Sequence, residues 1–201
     1  MLYINAENPQ QRLIDKAVEI LKRGGIVCYP TDTMYGMGCD MFNQKAVKRL
    51  HQIKNRPKKK PFSFMCCSLK RVSTYCHLSN SAYRIMKKNL PGAYTFVLPT
   101  MKIVPKIMIT KQKTVGIRVP DNPICKMLVE GLGHPIVTTS AAKGEDEQPS
   151  SAYEVELLFG KQVDEIIDGG DVFPAPSSVV SLTHDVPEII REGKGDISIF
   201  Y

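Results

Sequence analysis

A chain of 201 residues with 43 % hydrophobic residues is long enough to bury one sizeable core and fits the length of a single domain, residues 1–201, with no low-complexity stretch to act as a linker. Its 27 lysines and arginines outnumber 20 carboxylates, and the resulting +7 charge suits an acidic partner, whether nucleotide or nucleic acid. No apolar run approaches the roughly eighteen residues that span a bilayer, the opening MLYINAENPQQRL is no leader, and the six cysteines form no CxxC pair, so membrane insertion and a zinc site are excluded and a reducing, cytoplasmic setting is expected.

In chain order, Leu13, Ile14, Ala17, Val18 and Leu21 recur at helical spacing within residues 9–23, and Gly24 and Gly25 provide the stop. A short β-branched strand, residues 26–29, follows. A second helical pattern, Ala46, Val47, Leu50 and Ile53, ends at a basic stretch where Pro57 and Pro61 forbid continuation. Residues 62–66 read as a strand, 81–89 as a helix, 94–98 and 115–119 as strands, 123–129 as a helix and 136–139 as another strand. Residues 143–151, KGEDEQPSS, have nothing to bury and read as an exposed, mobile loop. A helix over 153–159 and strands near 165–168, 178–181 and 189–192 finish the chain. This alternation predicts an α/β fold built on a largely mixed sheet, without fixing strand order or direction.

Chemistry concentrates in YPTDTMYGMGCD, residues 29–40. Behind a strand it presents the hydroxyls of Thr31, Thr33 and Tyr35, the carboxylate of Asp32 and two turn glycines, Gly36 and Gly38, on a strand-to-loop exit suited to a small polar molecule. Taken alone the same residues make an ordinary turn. The glycines complete neither a dinucleotide fingerprint nor a P-loop. Lys54 and Arg56, two apart, are the kind of pair that holds a phosphorylated ligand through charge-assisted hydrogen bonds. The run they open, with Lys58, Lys59 and Lys60, is otherwise a solvated charge cluster. Arg118 ends the strand VGIRVP and Arg191 sits in IIREGKGD; an arginine so placed pairs with a surface carboxylate or grips a ligand carboxylate bidentately. TTSAA, residues 138–142, lies at a strand end, where open α/β sheets bind ligands. Ser177 and Ser178 follow a proline turn, and the four histidines show no metal-ligand spacing.

Together YPTDTMYGMGCD, KNRP, PGAYTFVL, VGIRVP, TTSA, APSSVV and IIREGKGDI, in this order over residues 8–197, resemble the YrdC/YciO family, whose synthase members make threonylcarbamoyl-AMP. NPQQRL and IRVPDNP look closest to the YciO branch. The resemblance implies a single-domain, twisted open mixed sheet with flanking helices, of the YrdC/RibB kind, with a positively charged concave face. It also implies the joining of L-threonine, bicarbonate or CO2, and ATP with Mg2+, for a tRNA modification that partner proteins complete.

By that resemblance Thr33, Arg118, Thr138 and Ser178 hold threonine, with Arg118 on its carboxylate. Lys54, Arg56, Ser140 and Arg191 hold the triphosphate and nucleotide, with Thr114 and Ser150 or Ser151 nearby. Lys54 and Arg56 are the catalytic cations. The chain departs from the synthase pattern at Ala142, at Lys60 to Phe62, and in the acidic loop at Glu145, Asp146 and Glu147. Two other functions stay open: a non-catalytic protein using the basic concave face on double-stranded RNA, tRNA or rRNA, and a related enzyme with a different acceptor amine.

Overall fold

The computed structural model describes residues 1–55, 62–144 and 147–201. Ten strands form one mixed sheet: β1 (Leu2–Tyr3), β2 (Val27–Tyr29), β3 (Gly36–Asp40), β4 (Ser63–Met65), β5 (Tyr94–Pro99), β6 (Thr114–Arg118), β7 (Ile136–Ser140), β8 (Glu165–Asp168), β9 (Ser178–Ser181) and β10 (Glu188–Arg191). Their order is β1-β8-β2-β3-β7-β4-β6-β5-β9-β10. The neighbours β1 and β8, β8 and β2, β4 and β6, and β5 and β9 run parallel. The other adjacent pairs are antiparallel.

Alternation along the strands divides the interior into two cores. Cys28, Met37, Cys39, Phe64, Phe96, Ile117 and Val137 face one way, against apolar residues of α2 (Gln44–Lys54), α4 (Asn80–Asn89) and α6 (Ala152–Phe159). Val27, Tyr29, Met65 and Ile136 face the other way, against α1 (Gln11–Lys22) and α5 (Pro123–Leu132). The short α3 (Leu69–Val72) follows β4 and completes the helices named here. Helix α1 buries Ile14, Ala17, Val18 and Leu21 on one stripe, each contributing roughly 1.5–3 kcal/mol for the larger side chains. Local chemistry sets the ends of α5: the Asn122 side chain accepts from the Cys125 amide at 3.1 Å, Pro123 opens the first turn, and Gly133 closes it at φ +85°.

The main departure from the sequence reading is β3. Residues read as a loop exit form a central strand, paired with β2 on one side and β7 on the other. Glycine lowers intrinsic strand preference, yet here its missing side chain makes room for Tyr29 to lie across the strand. The described part of the loop read as mobile is held: Lys143 donates its amide to Glu147 O at 2.9 Å, and Ser150 O accepts from the Val172 amide at 2.8 Å. Arg56, Lys58, Lys59 and Lys60, and Glu145 and Asp146 of that loop, lie outside the described residues.

Candidate functional site

The β2–β3 turn organises itself first. Thr31 Oγ1 accepts from the amides of Thr33 and Met34 at 3.1 and 3.2 Å and donates to Met34 O at 2.6 Å, a hydroxyl-mediated turn that fixes the loop. Arg118, the last residue of β6, reaches into it. Its Nη2 donates to Asp32 Oδ1 and Thr33 Oγ1 at 2.5 Å and to Thr31 Oγ1 at 3.1 Å. The Arg118 and Asp32 side chains are only 13 % and 12 % exposed, so the ion pair is largely desolvated. Among the described residues, Asp32 Oδ2 and Arg118 Nε are buried without a hydrogen-bond partner.

Register explains what surrounds this turn, because residues directly opposite on neighbouring strands share a face. Gly36 pairs with Ser140; Gly38 with Thr138, which pairs with Ser63, which pairs with Gly116. One sheet face therefore carries a band of glycines and hydroxyls. Tyr29 lies over β3: a Cβ on Gly38 would stand 2.7 Å from its hydroxyl, and one on Gly36 2.9 Å from its ring. The hydroxyl meets Thr138 Oγ1 at 2.7 Å, fully buried. Burial holds the Tyr29 hydroxyl protonated far above the ordinary tyrosine range. Gly116 leaves comparable room beside Ser63 and Thr95, whose atoms a Cβ would meet at 2.7 and 3.0 Å.

At the other end of the band, Lys54 closes α2 and donates through Nζ to Ser140 O at 2.9 Å and to Ala142 O. Its ammonium lies 5.8 Å from the Phe159 ring centroid. Thr114 begins β6 on the same face, its hydroxyl 2.8 Å from that of Thr110. Ser151 caps α6 by accepting from the Glu154 amide at 3.2 Å, while Glu154 accepts from the Ser150 amide and hydroxyl at 2.7 and 3.1 Å. Those bonds from Ser150 hold the Glu154 carboxyl below its usual range.

A strap, residues 169–177, leads from β8 to β9 and gathers these pieces. Gly170 O accepts from the Tyr35 hydroxyl at 2.8 Å, the Val172 amide donates to Ser150 O, and the Ala175 amide donates to Thr33 O at 3.0 Å. At its end Ser177 Oγ lies 2.8 Å from Thr95 Oγ1, and Arg191 donates to Ser177 O through Nε and Nη2 at 3.2 and 2.6 Å. Lys194 Nζ reaches Asp32 O at 2.7 Å.

Thr33 and Arg118 thus touch, Thr138 shares their sheet face, and Lys54 and Ser140 are bonded at one end of the band. Arg191 joins through Ser177 and Thr95. Ser150 joins by the strap, whereas Ser151 has its hydroxyl on the α6 cap. Ser178 points the other way, paired with Tyr94 on the opposite face; its hydroxyl donates to Gly195 O at 2.6 Å and accepts from the Gly193 amide at 2.9 Å. Sequence reasoning named Ser177 only as half of a turn doublet, and did not single out Tyr29, Asp32 as the partner of Arg118, or Lys194. The signal for Asp32 was its place between two threonines; for Ser177 it was a serine doublet whose inward member only strand register decides. Among the described residues, no group of three His, Cys, Asp or Glu could hold a metal ion, and no helix is long and apolar enough to cross a membrane.

Residues 19–193 match the Sua5_yciO_yrdC family, described as "Telomere recombination". The chain belongs to this Sua5/YciO/YrdC family. It is 44 % identical over 200 residues to Escherichia coli (strain K12) YciO, described as an uncharacterized protein, covering 98 % of this chain and 97 % of that one. The crystal structure of E. coli YciO superposes with a TM-score of 0.95, covering 100 % of this chain and 98 % of the other. A threonylcarbamoyl-AMP synthase of Pyrococcus abyssi is 31 % identical over 179 residues, 88 % of this chain and 53 % of the synthase. P. abyssi Sua5 complexed with L-threonine superposes with a TM-score of 0.89 at 31 % identity, covering 96 % of this chain and 58 % of that one. The chain therefore spans a little over half the length of those P. abyssi proteins.

Proposed function

We propose that this protein is an ATP-dependent threonylcarbamoyl-AMP synthase, or a close paralogue using the same site, in tRNA threonylcarbamoyladenosine modification. The reading rests on one observation above the others: Arg118 inserted into the Thr31–Asp32–Thr33 turn, on a sheet face of glycines and hydroxyls that runs to Ser140, whose main-chain carbonyl accepts from Lys54. The relative solved with L-threonine supports it.

Arg118 takes the threonine carboxylate, and Thr33, Thr138 and Ser177, the serine that shares their face, supply hydroxyls for its polar groups. The neutral threonine amine adds CO2 and gives up a proton to solvent, leaving a carbamate whose oxygen attacks the α-phosphate of ATP and expels diphosphate. The protein needs no covalent nucleophile for this; it positions two bound reactants and offsets charge. Lys54, Arg56 and Arg191 are assigned to the triphosphate, with Ser140, Thr114, Ser150 and Ser151 toward the nucleotide. Mg2+ enters on the phosphates.

The assay combines protein, threonine, bicarbonate, ATP and Mg2+ and follows diphosphate. Release should depend on threonine, and Lys54→Ala should slow it by on the order of a hundredfold. Release indifferent to threonine rejects the synthase reading.

A further inference from the structure

The Asp32–Arg118 pair is poorly satisfied for so buried an interaction. Among the described residues, every hydrogen bond of the guanidinium leaves from Nη2, whose two hydrogens face three oxygens. Nε is buried and unpartnered, and so is Asp32 Oδ2. A bidentate arginine–carboxylate pair would use both of those atoms. Here the threonine hydroxyls and the Lys194 contact to Asp32 O hold the turn in place, leaving each ion a spare valence away from water.

From this geometry we infer that Asp32 and Arg118 together form a receptor for an amino-acid zwitterion, with Asp32 the residue that takes the ligand ammonium. The inference rests on the threonine reading above. A ligand carboxylate that engages the guanidinium competes with Asp32, and a displaced Asp32 is a buried charge with no partner, which is costly. A ligand that also carries an ammonium cancels that cost by supplying the counter-charge. Two internal half-satisfied ions are exchanged for two intermolecular pairs. The same exchange rejects a carboxylic acid that lacks the amine, because it would strand Asp32. Selection is thus made by a group on the protein that opposes the incomplete ligand as well as attracting the complete one.

Calorimetric titration of L-threonine against 3-hydroxybutyrate, the analogue without the amine, tests this. Wild-type protein should prefer threonine by about ten- to a hundredfold, the factor of one charge-assisted hydrogen bond. In Asp32→Asn the preference should collapse toward unity, threonine weakening while 3-hydroxybutyrate holds or tightens as Arg118 loses its internal competitor. The wild-type comparison stands on its own should the variant fold poorly. Equal affinity of the wild type for both ligands, or full discrimination kept by Asp32→Asn, overturns the role of Asp32 and leaves the threonine reading intact. A wild type that takes neither refutes the threonine reading itself, and this assignment with it.

Discussion

Replacing Gly38 by alanine perturbs the scaffold of the site at one atom. The added Cβ would stand 2.5 Å from Val137 O, 2.6 Å from Ile136 Cγ2 and 2.7 Å from the Tyr29 hydroxyl. Val137 O is main chain held by the sheet, so relief falls to the side chains of Ile136 and Tyr29, and a shift of Tyr29 separates its hydroxyl from Thr138, 2.7 Å away. Overpacking costs roughly 1–3 kcal/mol. A buried hydroxyl left without its bond costs roughly 1–3 kcal/mol more. Together these are about 2–6 kcal/mol, and at roughly 2–4 °C per kcal/mol for a domain of this size the melting temperature should fall by roughly 4–24 °C. Differential scanning calorimetry reads this directly, and threonine titration of the surviving fold should show weaker binding because Thr138 has lost its brace. Gly36→Ala, whose Cβ meets the Tyr29 ring edge at 2.9 Å, should cost less. Tyr29→Phe should cost about 1 kcal/mol, and combined with Gly38→Ala the effects should be less than additive, since the phenyl ring removes one of the three clashes. A Gly38→Ala melting point within about 2 °C of wild type would refute the claim that the glycine exists to seat Tyr29.

The two serines of the doublet should separate cleanly. Ser178→Ala strands the Gly193 amide and should destabilise by roughly 1–3 kcal/mol in urea unfolding, with threonine affinity kept by the folded fraction, whereas Ser177→Ala should weaken ligand binding more than stability. The reverse pattern would put Ser178, not Ser177, against the ligand. The buried thiols give a pH test. Burial pushes Cys39 and Cys76 up to about 12 and raises Cys28, Cys66 and Cys125 as well. Groups whose folded pKa is raised stabilise the fold below their unfolded value, near 8.5, and that stability is lost as pH climbs toward the folded value, because the unfolded chain releases protons first. Melting temperature should therefore decline from about pH 9 upward. At pH 8 a thiol reagent should label half-buried Cys67 well before the other five; rapid labelling of all six would contradict the burial.

Amphipathic spacing made α1, α2, α4 and α5 legible, since each buries a single stripe. Strands β8 and β9 were equally plain from their apolar runs. β3 was not, because the two glycines that make it possible also erase its pattern; their purpose is a contact with Tyr29 that only the folded sheet contains. The site divides along the same line. Thr33, Arg118 and Lys54 stand in compact motifs, and residue type alone suggests their chemistry. Their meeting, and the choice of Ser177 over Ser178 for the open face, depends on a register set by pairings between residues as distant as Tyr94 and Ser178. The Asp32–Arg118 contact spans 86 positions and has no local signature.

The crossing from β8 to β9 contributes its own main-chain atoms to the bonds at Gly170, Val172 and Ala175. Within it the Val172 side chain packs on the core and the Ser177 hydroxyl meets Thr95, whereas Phe173, 92 % exposed, stands outside that packing. A change at Phe173 would alter the surface at this crossing while the sheet beneath keeps its geometry. A scaffold of this kind separates what must stay fixed for the fold from what is free to drift toward a new substrate.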